Sequence, residues 1–377
     1  MTASTLSAEA VRRALSIRDL SDPAQGPHAV QLVVDACVSR LGGAWGCATR
    51  VHRASPIVSV ADNYDRLRYP ADGPARDARY TRYVCDCAVL RTQTSAMVPA
   101  LLCAHAAGGL ADVLLACPGL VYRRDSIDRL HTGEPHQLDL WRVRRGEPLG
   151  ADELHAMVRL VVEAALPGRA WRVVPAEHPY TVGGLQIDVR DGASWVEIGE
   201  CGLAHPELLA ASGLRASTGL AMGLGLDRLV MLRKGVDDIR LLRASDPRIA
   251  GQMLDLAPYL AVSSMPPVRR DLSIVVDLAT TADELGDRVR ASLGDEAQSI
   301  EAVEVLAETP YEQLPPAARA RLRLRPDQKN VLLRVVLRDL SRTLTHEEAN
   351  ALRDAVYAAV HEGDVMEWAA RPPRGDG

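Results

Sequence analysis

Phenylalanine is missing. None of the 377 residues is Phe, although nine are Tyr and five are Trp. Phe is among the residues most often found in protein cores, so the interior must be built from other large side chains. Cysteine is sparse and dispersed, with seven residues at 37, 47, 85, 87, 103, 117 and 201 and no C-x-x-C pair. That excludes a zinc-ribbon signature and reads as reduced thiols rather than a disulfide framework. No apolar run approaches the ~18 residues that cross a membrane, so no membrane partner is expected. The N-terminus mixes Glu9 and Asp19 among its arginines and lacks an apolar core. No targeting segment is expected there, and the chain reads as cytoplasmic. The net charge is -5, so any nucleic-acid surface must be local rather than global.

What is present is globular in composition, 47% hydrophobic and 25% charged. A chain of this length holds two domains, or a large one and a small one. An amphipathic stretch over 8–21 places Val11, Leu15 and Ile17 on one face. The apolar spacing predicts a helix from about His28 to Leu41, stopped by Gly42-Gly43. A loop over Asn63–Asp77 precedes a hydroxyl-rich run, Thr92 to Ser95, that opens a helix to Ala107. A helix over 151–166 ends at Pro167-Gly168, and strands follow at 171–174, 185–189 and 194–198. Ser263-Ser264-Met265-Pro266-Pro267 reads as a linker. Beyond it come a strand at Leu272–Leu278, a helix capped by Thr281 and Glu284, strands at 300–306 and 331–337, and a helix capped by Thr345 and Glu348. The order β-α-β-β-α(-β) is ferredoxin-like.

Two stretches concentrate chemistry. Gly119 to Arg142 leaves an apolar strand through Arg123, Arg124 and Asp125, crosses a loop containing His131, and returns through a second strand. Arginine grips phosphate through paired charge-assisted hydrogen bonds, and an unpaired charge beside a buried strand is costly. Taken alone, the stretch is equally a surface hairpin with solvated charges. Gly219 to Arg228 is a glycine-rich run ending in Asp227-Arg228. Glycines allow close approach of backbone to a nucleotide. By itself the run also reads as a buried strand followed by a helix.

The two stretches occur in the order of motifs 2 and 3 of the class II aminoacyl-tRNA synthetases, and they resemble the phenylalanyl type. Val121-Tyr122-Arg123-Arg124-Asp125 and His136-Gln137-Leu138-Asp139 resemble that family's V-Y-R-x-D and H-Q-x-E. Asn63–Asp77 and Leu90–Ser95 resemble its N-F-D-x-L and L-R-T-H-T-S segments. Gly235–Arg240 resembles its G-I-D-D-I-R. Pro267-x-x-Arg270-Asp271 and Thr345-His346-Glu347-Glu348 resemble its ferredoxin-fold anticodon-binding domain. The resemblance implies an α+β chain: a class II synthetase antiparallel sheet flanked by helices, plus a ferredoxin-like C-terminal domain. Expected boundaries are 1–258 for the catalytic domain, 259–265 for a linker and 266–377 for the anticodon-binding domain.

The resemblance also assigns roles. Arg123 and Arg228 are expected to be catalytic, with Asp125, His131 and Glu197 beside them at ATP and Glu197 on Mg2+. Gln93, Ser95, Gln137, Asp139, His178, Tyr180 and Ala221 are expected to line the amino-acid pocket. Tyr64, Pro135, His178, Tyr180 and Met222 stand where relatives carry Phe, and Gln93 replaces a His. From Arg319 to Arg342 there are eight Lys or Arg against two Asp, a net +6 block in an acidic chain. Arg319, Arg321, Arg323, Arg325, Lys329, Arg334 and Arg342 are therefore expected to face tRNA phosphates. The function implied is ATP-dependent activation of phenylalanine or a related amino acid and its transfer to tRNA, tRNA-Phe above all. A monomeric, one-chain enzyme of the organellar kind is expected, acting as a backup or resistance enzyme. Two alternatives stay open: an amino-acid adenylating enzyme of a specialised pathway, and a catalytically inactive tRNA-binding paralogue.

Overall fold

The computed structural model describes residues 5–108, 111–262 and 266–366. Ser263, Ser264 and Met265 of the expected linker lie outside them. Helices α1 (Ala8–Ser16) and α2 (Ala29–Trp45) come first. Strand β1 (Ala48–Val51) is followed by the short strands β2 (Ile57–Ser59), β3 (Tyr83–Cys85) and β4 (Ala88–Leu90), which pair among themselves. Then come α3 (Val98–Gly108), β5 (Asp112–Leu120), β6 (His136–Arg145), α4 (Ala151–Ala165), β7 (Trp171–Pro175), β8 (Thr181–Asp191), β9 (Ser194–Ala204), α5 (Pro206–Ala211), β10 (Ser217–Gly225) and α6 (Leu226–Lys234). The seven strands order as β1-β5-β6-β10-β9-β8-β7. All pairs are antiparallel except β1 with β5.

The central strands read as apolar runs because both faces are covered. β5 is buried from Val113 to Leu120, and α2, α4 and α6 pack together beside the sheet. Helix α2 buries Val30, Val33, Val34, Cys37, Val38 and Leu41, the face read from the sequence. Gly42-Gly43 does not stop it. The helix runs on to Trp45 and ends at Gly46, whose φ of 59° is the left-handed cap that glycine supplies at low cost. In α1 the buried residue is Ala14, while Leu15 is 43% exposed, which corrects the expected face. The loop over Asn63–Asp77 begins with a helical turn at Ala61–Asp65.

After the short helix α7 (Pro247–Ala250), the C-terminal part comprises β11 (Val268–Asp277), α8 (Ala282–Leu293), β12 (Ile300–Pro310), α9 (Pro316–Leu322), β13 (Gln328–Leu337) and α10 (His346–Val360). Its three-stranded sheet orders as β11-β13-β12. Both capping boxes are made, by Thr281 with Glu284 and by Thr345 with Glu348. Helix α9 has no counterpart among the elements expected from the sequence, which shows only a charged stretch there, and no closing fourth strand is found among the described residues. Leu272, Ile274, Leu285, Val289, Leu333 and Val356 share one core. By compactness the chain forms two units. Arg124–Gly133 and Arg243–Ile249 group with the C-terminal residues, not with the sheet that precedes them in sequence. Ile127 belongs to the C-terminal core, and its carbonyl accepts the Val303 N–H at 2.9 Å.

Candidate active site

Buried Arg91 fixes the backbone next to the site. Its Nε donates to the Leu120 carbonyl at 2.7 Å and its Nη1 to that of Ala54 at 3.1 Å, while its own carbonyl accepts the Tyr122 N–H at 2.9 Å. Asn63 holds the next residue, with Nδ2 donating to Thr92 Oγ1 at 2.9 Å. The exposed Arg123 is tethered by Nε to the Thr92 carbonyl at 2.8 Å. Arg228 lies in the first turn of α6, and its Nη1 donates to the Glu197 carbonyl at 3.1 Å. Burial and the Glu200 carboxylate push the Glu197 carboxyl above its ordinary range, against the opposing fields of Arg228 and Arg123. The two arginines from distant segments therefore share one electrostatic neighbourhood around Glu197.

His136 and Asp227 support this arrangement, and neither was among the expected site residues. His136 is fully buried. Its Nε2 accepts the Leu20 N–H at 2.9 Å, so its proton is assigned to Nδ1, which donates to Asp227 at 2.9 Å. Asp227 also accepts the His136 main-chain N–H. The pair ties the start of β6 to the turn of α6 that carries Arg228.

A second cluster lies on β6 and the segment after β4. Asp139 is buried and accepts from Ser95 Oγ at 2.6 Å, Thr94 Oγ1 at 3.3 Å and Trp141 Nε1 at 2.8 Å. Burial holds its carboxyl above the usual range against these donors. Trp141 stands two residues along the same strand face, the period-2 signal that could have identified it. Its ring stacks on Tyr180 at 6.0 Å, and Tyr69 and His178 lie 6.3 and 5.9 Å from Tyr180. Burial, with the Asp139 charge behind it, pushes the Tyr180 hydroxyl well above its ordinary value, and His178 pairs with Glu200. Tyr69, pushed up to about 12 by burial, donates to Gln93 Oε1 at 2.9 Å and feels the charges of both Arg123 and Asp139. Ala221 sits in the same apolar cluster as Trp141. Gly199 is required where β9 meets β10, because a Cβ there would collide with the Gly223 carbonyl.

The structure brings together Arg123, Glu197 and Arg228, and separately Ser95, Asp139, Tyr180 and His178. Gln137 is adjacent, its Oε1 accepting the Thr94 N–H at 3.2 Å. Gln93 is placed differently. Its amide is spent on the Asn63 carbonyl and the Tyr69 hydroxyl, so it supports the wall instead of offering a free group. Asp125 and His131 fall in the C-terminal unit. There burial raises the Asp125 carboxyl, and His131 Nδ1 bonds Asp128 at 2.7 Å.

One member of the expected basic face is corrected, and most of the others are paired. Lys329 is buried, donating to the Thr280 carbonyl and to Glu308, both at 2.8 Å, so it is no surface cation. Arg319 donates to the Glu312 and Leu314 carbonyls under the Tyr311 ring. Arg325, Arg334 and Arg342 pair with Asp327, Asp271 and Glu348. Arg321 and Arg323 are exposed near the end of α9. Among the described residues no group of three or more His, Cys, Asp or Glu is arranged to hold a metal ion, and no helix is long and apolar enough to cross a membrane.

Residues 45–253 match the family model "tRNA synthetases class II core domain (F)", and residues 263–364 match "Ferredoxin-fold anticodon binding domain". The chain is 28% identical over 324 residues to "Phenylalanine--tRNA ligase, chloroplastic/mitochondrial" of Arabidopsis thaliana, covering 82% of this chain and 70% of the relative. It is 26% identical over 363 residues to "Probable phenylalanine--tRNA ligase, mitochondrial" of Drosophila melanogaster, covering 81% and 76%. A shorter match, 32% over 209 residues, covers 55% of this chain and 61% of a phenylalanine--tRNA ligase alpha subunit of Prochlorococcus marinus. The first two relatives overturn the expectation of a cytoplasmic protein, because both are organellar enzymes by description.

Proposed function

The chain belongs to the class II tRNA synthetases, and from that premise we propose that it is a one-chain phenylalanine–tRNA ligase, activating phenylalanine with ATP and transferring it to tRNA-Phe. Family membership makes it an aminoacyl-tRNA ligase with an amino acid and a tRNA as partners, and the two alternatives are not favoured. The proposed catalytic domain is 1–258 and the proposed anticodon-binding domain 266–377, joined by 259–265 and working as a monomer. The family models over 45–253 and 263–364 support that division.

The observation that carries the finer reading is the short segment Thr92–Ser95, whose Thr92 carbonyl tethers Arg123 while its Thr94 and Ser95 hydroxyls bond Asp139. A phosphate-gripping end and an ammonium-binding end thus adjoin. Asp139 and Ser95 hold the substrate ammonium, while Tyr180 and Ala221 bound its side chain. The substrate carboxylate then lies toward Arg123 and attacks the α-phosphate of ATP, expelling pyrophosphate. Arg123 and Arg228 stabilise the charge that develops on the phosphoryl oxygens. Mg2+ carried on ATP phosphates needs only one or two protein carboxylates; Glu197 would supply one, and the Glu200 oxygen not paired with His178 could supply a second. Bound there, it would neutralise phosphate charge. Burial first, and the Glu200 charge after it, hold the Glu197 carboxyl above its ordinary range, and a cation there would relieve both. ATP–pyrophosphate exchange over all amino acids, followed by charging of tRNA, tests the reading. Exchange with Phe and formation of Phe-tRNA are expected, and exchange with a different amino acid alone would refute it.

A further inference from the structure

The fold has sites of aromatic size and fills them without Phe. Trp141, Tyr64, Tyr122 and Tyr357 head its largest fully buried side chains. The buried rings carry polar groups, and the fold supplies partners for them. Tyr64 donates to the Ala75 carbonyl at 2.8 Å, Tyr122 to that of Ala14 at 3.1 Å, and Trp141 to Asp139 at 2.8 Å. Tyr69 and Tyr83 are bonded to Gln93 and to the Arg76 carbonyl. A buried polar group without such a partner would be destabilising. Phe offers the same ring area and needs no partner.

Packing does not exclude a benzene ring either. Tyr64 meets Tyr69 edge-on at 5.6 Å, and Trp141 stacks on Tyr180, arrangements that depend on the ring and not on the hydroxyl. Large apolar side chains also stand in water, with Leu260 at 74% and Leu254 and Leu278 at 51% exposure. The absence therefore does not follow from what Phe would do in the folded protein. What remains to distinguish Phe from Tyr, Trp and Leu is the charged tRNA that delivers it.

The next step rests on the function proposed above. If the product is Phe-tRNA, each Phe codon would make synthesis of the enzyme depend on its own product. We propose that the chain is free of Phe so that it can be translated when Phe-tRNA is scarce, and that it is a standby enzyme which restores phenylalanine charging after that supply fails. Tyr64, Tyr122 and Trp141 at buried ring sites, each with a hydrogen-bond partner, are the structural adaptation to that constraint.

The test uses the full chain in three versions: wild type, a version with Leu254→Phe, Leu260→Phe, Leu278→Phe and Leu306→Phe, and a control with Tyr at the same four positions. All four leucines are exposed and lie outside the proposed site. The purified proteins are first assayed for charging of a bacterial host's tRNA with Phe. No charging by wild type would sink the proposed function itself. Each version is then induced in that host after its resident phenylalanyl enzyme is shut off, and ribosome position and full-length product are read. Wild type and the Tyr control should be completed and restore growth, whereas the Phe version should pause at its new codons and lose full-length product. The positional readout does not depend on folding, and Leu260→Phe alone repeats it in the least demanding context. Equal synthesis and equal rescue by all three versions would overturn the proposal.

Discussion

Replacing Asp139 by Asn removes a charge from the site while leaving every buried hydrogen bond a partner. The carboxylate accepts from Trp141 through one oxygen and from Ser95 and Thr94 through the other. In Asp139→Asn the amide oxygen keeps the indole N–H, and the amide nitrogen faces two hydroxyls that can rotate to accept. What is lost is the anionic partner of the substrate ammonium. Hydrogen bonds to charged groups contribute ~1.5–3 kcal/mol, so the KM for the amino acid should rise about 10- to 150-fold. Stability should move the other way. Burial holds the Asp139 carboxyl above its ordinary value, so the native state binds this proton more tightly than the unfolded chain does. The resulting stability is fully present below the ordinary Asp value and is lost as pH rises through the raised one. At neutral pH the desolvated carboxylate is therefore a destabilising group, and the variant should unfold at a higher temperature. The wild-type KM should also climb as pH falls through that raised value, and the variant should lose this dependence. Pyrophosphate exchange with the amino acid titrated, beside thermal unfolding, measures both effects. An unchanged KM would refute the ammonium role, and a lower Tm would refute the isosteric reasoning.

Arg123→Ala and Arg228→Ala should each slow exchange by the ~10²–10³-fold that loss of one transition-state donor costs. Their urea midpoints should stay put, and near wild-type exchange rates would remove both from the chemistry. Asp227→Ala leaves the Nδ1–H of fully buried His136 without its acceptor and should destabilise by ~1–3 kcal/mol in urea unfolding. An unchanged midpoint would show that the pair is dispensable. Arg321→Glu with Arg323→Glu should spare amino-acid activation, weaken tRNA binding and flatten its salt dependence by ~1 in slope for each phosphate no longer gripped. An unaltered slope would exclude that end of α9 from the tRNA interface.

Fold class was legible because its signals are local. The buried face of α2, the capping boxes at Thr281 and Thr345, and the glycine-rich β10 leading into α6 each follow from residues within a few positions of one another. Errors arose where tertiary packing overrode a local rule. Gly42-Gly43 is helix-breaking by propensity, yet Gly42 lies under Thr49, where even a Cβ would be crowded, and the helix continues to Gly46. Leu15 is more hydrophobic than Ala14, but the smaller residue packs with Leu90, Leu120 and Tyr122. Arg124–Gly133 follows motif order in sequence and groups elsewhere in space, which no periodicity could reveal.

The site was legible to a different degree, and Lys329, Gln93 and Asp139 show why. A motif states what a side chain can do, whereas its partners decide whether it is free to do it. Counted along the chain, 319–342 is a strongly basic block. Counted in space, much of that charge is spent on Asp271, Glu308, Asp327 and Glu348. Exposed pairs of this kind are worth little and exchange readily, so Arg334 and Arg342 can still turn to a phosphate when one arrives. Buried Lys329 cannot, because leaving Glu308 and the Thr280 carbonyl would strand a desolvated ammonium. Gln93 follows the same logic, since freeing its amide would orphan the Tyr69 hydroxyl beneath it. Asp139 is the opposite case, because its partners are neutral donors that hold the carboxylate in place without cancelling its charge. A buried carboxylate held by hydroxyls and an indole, with no cation bonded to it, is the arrangement that still needs a positive ligand.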